Sequence, residues 1–161
     1  MPVAERIEEM RQQVNELAQS ATNADELMQK MVKLLHERML KYNWVGFYML
    51  ESGAQPPVLV LGAFEGAMTP HTRIPLNQGI CGAAASSGQT VVVDDVGKDP
   101  RYLACSLETK SEIVVPIFVK GKVVGELDID SHFPAAFTRE HQEFVQYCAA
   151  LVGRKLEAAN R

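Results

Sequence analysis

Apolar residues recur every three or four positions near both ends of the chain and follow strand-like patterns through its middle. That arrangement predicts helices flanking a set of strands. Val3, Ile7, Met10, Val14 and Leu17 alternate in steps of four and three, a heptad-like seam that marks residues 1–20 as a helix. The seam is narrow and short, so it suits a helix lying on its own domain as well as one pairing with a second copy. Asn23 then offers an N-cap, and Glu26, three residues on, completes a capping-box-like pair. Leu27, Met31, Leu34, Leu35 and Met39 form the apolar stripe of this second helix. Methionines in such a stripe are adaptable core filler rather than a cofactor box.

The segment Trp-Val-Gly-Phe-Tyr-Met-Leu at 44–50 is aromatic and β-branched, as strands are. Residues 51–53 read as a turn, 58–61 as a second strand, and 62–75 as a loop rich in glycine and proline. The small residues at 79–85 predict a short helix whose backbone comes close to the sheet or to a ligand. Residues 91–93 form a short strand. Residues 94–110 lack periodicity, and loops of that length tend to be functional or disordered. Tyr102, Leu103 and Ala104 beside Cys105 argue for a packed loop. Strands at 112–119 and 123–130 follow, with Lys120-Gly121-Lys122 turning between them. Thr138 is a suitable N-cap for the last helix, whose apolar side carries Phe144, Val145, Cys148, Leu151, Val152 and Leu156. Hairpins without repeated βαβ units indicate an α+β domain, an antiparallel sheet with helices on one face.

Side chains alternate across a strand, so Asp128 and Asp130 share one face while Leu127 and Ile129 take the other. A solvent-facing stripe is the ordinary explanation of such alternation. The hairpin gives a second one. A three-residue loop at 120–122 pairs Val119 with Val123 and brings Glu112 opposite Asp130; a two-residue loop would send Glu112 to the other face. In the first geometry three carboxylates gather beside Val114 and Pro116. They cannot all ionise comfortably, so at least one becomes a proton donor near neutral pH and the others suit a cationic group such as an amine.

Composition narrows the chemistry. The net charge of −4 and the absence of a basic patch with interleaved aromatics argue against nucleic acid. No apolar run reaches the ~20 residues of a membrane span, and the N-terminus lacks the pattern of a secretion signal. The cytoplasm is the default compartment. The three cysteines, Cys81, Cys105 and Cys148, form neither a disulfide framework nor a zinc-finger spacing. Cys148 sits on the apolar face of a helix and reads as core. Cys81 lies at a helix start, where a thiolate is favoured. Beside a carboxylate patch, Cys81 and Cys105 together suggest a nucleophile and a resolving thiol. The histidines offer no metal motif: His36, His132 and His141 read as surface or capping residues, and His71 stands in the pocket-side loop ahead of Arg73.

Trp44-Val45-Gly46-Phe47-Tyr48, Arg73-Ile74-Pro75, Gly79-Ile80-Cys81-Gly82, Ala104-Cys105, Ser111-Glu112-Ile113-Val114-Val115-Pro116 and Leu127-Asp128-Ile129-Asp130-Ser131 occur in this order. Together they resemble the free methionine-(R)-sulfoxide reductases, enzymes built on a GAF domain. The resemblance runs from about Trp44 to Ser131. It implies one GAF domain over 1–161, with N-terminal helices in 1–40, sheet and pocket in 43–131 and a closing helix over 138–158. The sheet would be mostly antiparallel and six-stranded, and the domain a homodimer.

The resemblance also implies roles. Cys105 would be the catalytic cysteine and Cys81 the resolving one. Glu112, Asp128 and Asp130 would hold the substrate amine and assist at the sulfoxide oxygen, and Trp44 and Tyr48 would wall the sulfoxide end. Reduction of free methionine sulfoxide would pass through a Cys105 sulfenic acid and a Cys81–Cys105 disulfide, reopened by a thioredoxin-like reductant without metal or organic cofactor. One departure stands out. The family's additional cysteine, two residues before Arg-Ile-Pro, is replaced here by His71. The rival expectation is a non-catalytic GAF module that binds a small metabolite for signalling.

Overall fold

The computed structural model describes residues 3–51, 53, 55–102 and 108–159. Cys105 and the neighbours expected to pack its loop, Leu103 and Ala104, lie outside the described residues. Helix α1 (Val3–Ser20) and helix α2 (Ala24–Arg38) lead into strand β1 (Trp44–Leu50). Strands β2 (Val58–Glu65) and β3 (Arg73–Pro75), helix α3 (Gly79–Ser87) and strand β4 (Val91–Val93) follow. Strands β5 (Ser111–Val119) and β6 (Lys122–Ser131) form the long hairpin, and helix α4 (Arg139–Ala159) closes the domain. The six strands lie in the order β3-β2-β1-β6-β5-β4, and each pair is antiparallel.

Alternation along the central strands divides the domain into two layers. Val45 and Phe47 on β1, Ile113, Val115 and Ile117 on β5, and Leu127 and Ile129 on β6 are buried with the apolar stripes of α1, α2 and α4. Trp44, Tyr48, Val114 and Val93 point the other way, toward Ile80, Cys81 and Ala84 of α3. The terminal helices therefore share one face of the sheet, and α3 covers the pocket face. The seam of α1 is used within its own chain: Ile7, Met10 and Val14 are buried in the helical layer. Asn23 caps α2 by accepting from the Glu26 N–H at 2.9 Å, while Glu26 reaches back to the Thr22 N–H rather than to that of Asn23.

Three expectations change. Strand β2 runs on to Glu65, and Arg73–Pro75 is an edge strand on it rather than loop; three residues carry too little alternation to be read as a strand. His141 is neither surface nor cap. It is buried within α4, where its Nδ1 meets the Tyr42 hydroxyl at 2.7 Å. The third change concerns the hairpin turn. Val119 pairs with Lys122, so the turn is the two residues Lys120 and Gly121, with φ of 52° and 78°. Both are positive, as a type I′ turn requires. Phe118 pairs with Val123 and Ile117 with Gly125, leaving Val124 as the extra residue of a bulge. The bulge restores the register that the shorter turn would have lost, and Glu112 lies opposite Asp130.

A Cβ on Gly121 would meet nothing within 4 Å, so only its left-handed backbone resists substitution. Gly121→Val is expected to destabilise the fold by about 1–2 kcal/mol, measured as a shift in urea midpoint with unchanged slope.

Candidate active site

The pocket is built where three strands present one face to α3. Trp44, Asp130 and Glu112 form one row across β1, β6 and β5; Gly46, Asp128 and Val114 form the next; Tyr48, Glu126 and Pro116 form the third. The four acidic side chains are nearly sealed, with exposures of 5% for Glu112, 0% for Glu126, 5% for Asp128 and 3% for Asp130. Carboxylates so enclosed need a partner, since an isolated buried charge is strongly disfavoured. Among the described residues Glu112, Glu126 and Asp128 make no ion pair. Burial, first, and the charges of Asp128 and Asp130, second, push the Glu112 carboxyl well above its usual range. Burial likewise raises Asp128 and Glu126. The face therefore holds protons rather than a set of bare charges.

Sequence reasoning did not single out Glu126. Its signal was present: it stands two residues before Asp128, on the same face by the alternation that grouped Asp128 with Asp130. The open end of the hairpin is tied by the serines that flank these acids. Ser111 Oγ donates to the Phe133 carbonyl at 2.6 Å, and the Lys110 N–H donates to the Ser131 carbonyl at 2.8 Å.

Helix α3 carries Cys81 onto this face. Its small residues permit a close approach: a Cβ on Gly82 would sit 2.8 Å from the Leu76 carbonyl oxygen. Cys81 Sγ donates to Asp128 Oδ2 at 3.3 Å. The helix start does not yield a thiolate here. Burial first, then the negative charges of Asp128, Glu126 and Glu112, raise the Cys81 thiol well above its ordinary value. Cys148 is buried in the helical layer, away from the pocket lining.

The aromatic wall is fixed by close contacts. The Trp44 indole lies over Gly46, where a Cβ would fall 2.3 Å from the ring, and stacks on Phe64 with centroids 5.8 Å apart. Trp44 Nε1 donates to the Ala67 carbonyl at 3.0 Å. The Tyr48 hydroxyl donates to the His71 carbonyl at 2.7 Å. His71 thus lines the pocket, with its backbone as one point of attachment. Ile74, Ile80 and Tyr102 complete the lining named here, and the cavity is about 30 Å³. The structure therefore gathers Trp44, Tyr48, Cys81, Glu112, Asp128 and Asp130. Cys105, and with it the Cys81–Cys105 disulfide, falls outside the described residues.

Residues 23–156 match the GAF domain model. A free methionine-R-sulfoxide reductase of Escherichia coli (strain K12) is 38% identical over 123 residues, which span 76% of this chain and 72% of that protein. The structure of free methionine-R-sulfoxide reductase from Neisseria meningitidis in complex with its substrate superposes with a TM-score of 0.88. It is 34% identical, over 96% of this chain and 90% of that one. The type II enzyme of the same name from Thermoplasma acidophilum gives a TM-score of 0.78 and 41% identity, over 84% of this chain and 93% of that one.

Two outcomes follow. Raised carboxyl pKa values mean that the fold binds protons more tightly than the unfolded chain does. Their contribution favours folding in acid and is lost as pH rises from about 4 through the folded values. Glu112→Gln is therefore expected to be more stable than the parent at about pH 8, with the advantage shrinking toward about pH 4, in urea titrations across that range. Gly46→Ala drives a methyl into the indole of Trp44, the protein's one tryptophan. A red-shifted emission and a loss of about 1–3 kcal/mol are expected.

Proposed function

The chain belongs to the GAF-domain free methionine-R-sulfoxide reductases, and we propose a reaction path for it built on the carboxyl-lined face beneath Trp44 and Tyr48. It is an oxidoreductase that reduces free methionine-R-sulfoxide to methionine. The observation that carries the path is the convergence of Glu112, Asp128 and Asp130 on one buried face opposite Cys81.

A free amino acid brings an ammonium group, a cation of the kind that Glu112 and Asp128 have no ion pair with among the described residues. Ionised Asp128 and Asp130 would receive it, compensating their burial while the ligand is bound. The sulfoxide end would lie against Trp44 and Tyr48. The Cys105 thiolate attacks the sulfoxide sulfur, and Glu112, the carboxyl that keeps its proton, delivers it to the sulfoxide oxygen. In the adduct the hydroxyl then passes from the methionine sulfur to the Cys105 sulfur: the old S–O bond and the new S–S bond break, a Cys105 S–O bond forms, methionine leaves, and Cys105 is a sulfenic acid. The Cys81 sulfur then displaces that oxygen as water, forming the disulfide. A thioredoxin-like dithiol reduces it by exchange and is itself oxidised.

Support for the resolving role is that the Cys81 thiol faces the pocket and donates to Asp128, a carboxyl able to take its proton as the disulfide forms. The cavity of about 30 Å³ is smaller than an amino acid, so the pocket would have to widen to admit substrate. The expected assembly is a cytoplasmic homodimer. Pairing would use a surface other than the α1 seam, because Ile7, Met10 and Val14 are covered by their own chain.

A thioredoxin-coupled assay with the separated R and S sulfoxides of free methionine tests the assignment: turnover with R alone is expected. Absence of turnover with either would favour the metabolite-binding alternative. Within that assay Cys105→Ser should abolish reduction, and Cys81→Ser should release one methionine per enzyme and then stall. Cys148→Ala should turn over as the parent does. Normal turnover by Cys81→Ser would remove it from the cycle.

A further inference from the structure

We propose that Cys81, Glu112 and Asp128 form a binding site for a thiophilic divalent cation of the zinc class, and that an ion held there blocks the substrate. The blocking half rests on the reading in the preceding subsection; binding of the ion does not. One thiol sulfur and one oxygen from each carboxyl lie within 4.8 Å of one another, and all three residues are buried. They come from three different elements, α3, β5 and β6, so their convergence is held by the packed fold. Zinc bond lengths of about 2.3 Å to sulfur and 2.0 Å to oxygen place tetrahedral ligand atoms about 3.5 Å apart. Cys81 Sγ and Asp128 Oδ2 already stand 3.3 Å apart. Three protein ligands leave the fourth position to water, and the cavity of about 30 Å³ has the size of an ion with that water.

A second observation lies outside the ligand set. The carboxyl of the completely enclosed Glu126 has no donor among the described residues besides the Cys81 thiol. Buried oxygens so short of donors call for a cation or a donor supplied from outside the protein. The thiol selects among cations: magnesium and calcium take oxygen ligands, whereas sulfur favours zinc and metals like it. On binding, the S–H proton passes to solvent and an S–metal bond replaces it, with no change of oxidation state. The ion then occupies the two carboxyls assigned to the substrate and masks the thiol assigned to resolution.

Cobalt(II) is the probe, since its bond to a thiolate absorbs in the near ultraviolet. Titrating the reduced full-length protein should give this band with saturation at one equivalent. The band should vanish in Cys81→Ser, persist in Cys105→Ser and Cys148→Ser, and bleach when zinc is added. Glu126→Gln should weaken binding by about tenfold or more. Because Cys81→Ser could misfold, alkylation of Cys81 in the parent protein is followed in parallel by mass spectrometry, and zinc should slow it. A band that survives Cys81→Ser, a band lost in Cys105→Ser, or Cys81 alkylation indifferent to zinc would overturn the site. Zinc should also raise the apparent Kd of free methionine sulfoxide, read from Trp44 fluorescence. Simultaneous binding of both would overturn the block. A Cys81-dependent cobalt band in a protein that never binds the sulfoxide would uphold the metal site and sink the substrate assignment instead.

Discussion

Four carboxyl groups closed into one face of a sheet cannot all be charged at once, and the surrounding layers leave them little water. The register between β5 and β6 creates this situation by setting Glu112 against Asp130. The alternation of β6 extends it by placing Glu126, Asp128 and Asp130 on a single side. An apolar face would be more comfortable for the fold, because a buried acid either gives up its charge or demands a partner. The strain is local to the pocket. On the other side of the same strands, Ile113, Val115, Leu127 and Ile129 are packed into the helical layer. That layer supplies the burial that lets the opposite face hold an unfavourable arrangement.

The rest of the site serves to keep that face closed and correctly aimed. Helix α3 holds Cys81 within hydrogen-bonding distance of Asp128. Gly46 lets the Trp44 indole lie flat along the sheet, and the Ala67 carbonyl fixes its far edge. The Tyr48 hydroxyl pins the His71 backbone. A GAF scaffold that covers its pocket in this way offers a ligand two kinds of surface, an acidic floor and an aromatic wall. A zwitterionic amino acid with a polar sulfur group at its far end presents a matching pair.

Much of this was legible in the sequence, for physical reasons that differ from residue to residue. The strand at 44–50 follows from its aromatic and β-branched residues, and the pairing of Glu112 with Asp130 from alternation together with a choice of turn. The turn was misread because register counts only the total of extra residues. A three-residue loop and a two-residue turn followed by a bulge at Val124 give the same pairing, and no pattern in Lys120-Gly121-Lys122 separates them. Glu126 was overlooked although the same alternation includes it, since a glutamate near a hairpin ordinarily faces solvent. The thiolate expected of Cys81 from its place at a helix start gave way to burial and neighbouring acids, which are tertiary effects. His141 was read as a surface or capping residue because a histidine near a helix start usually is one; its bond to Tyr42 joins positions 99 residues apart and leaves no local trace.

The central claim is that the acidic floor recognises a free ammonium group, and acetylating that group is the most direct way to test it. The kcat/KM of free L-methionine-(R)-sulfoxide should be compared with that of its N-acetyl derivative, which keeps the sulfoxide and side chain but carries no charge on nitrogen. Losing a charge-assisted contact with buried carboxyls should cost the acetylated compound at least about two orders of magnitude, given about 1.5–3 kcal/mol for each hydrogen bond to a charged group. Comparable values for the two compounds would contradict the account, because the carboxyls of Glu112, Asp128 and Asp130 would then have no part in choosing the substrate.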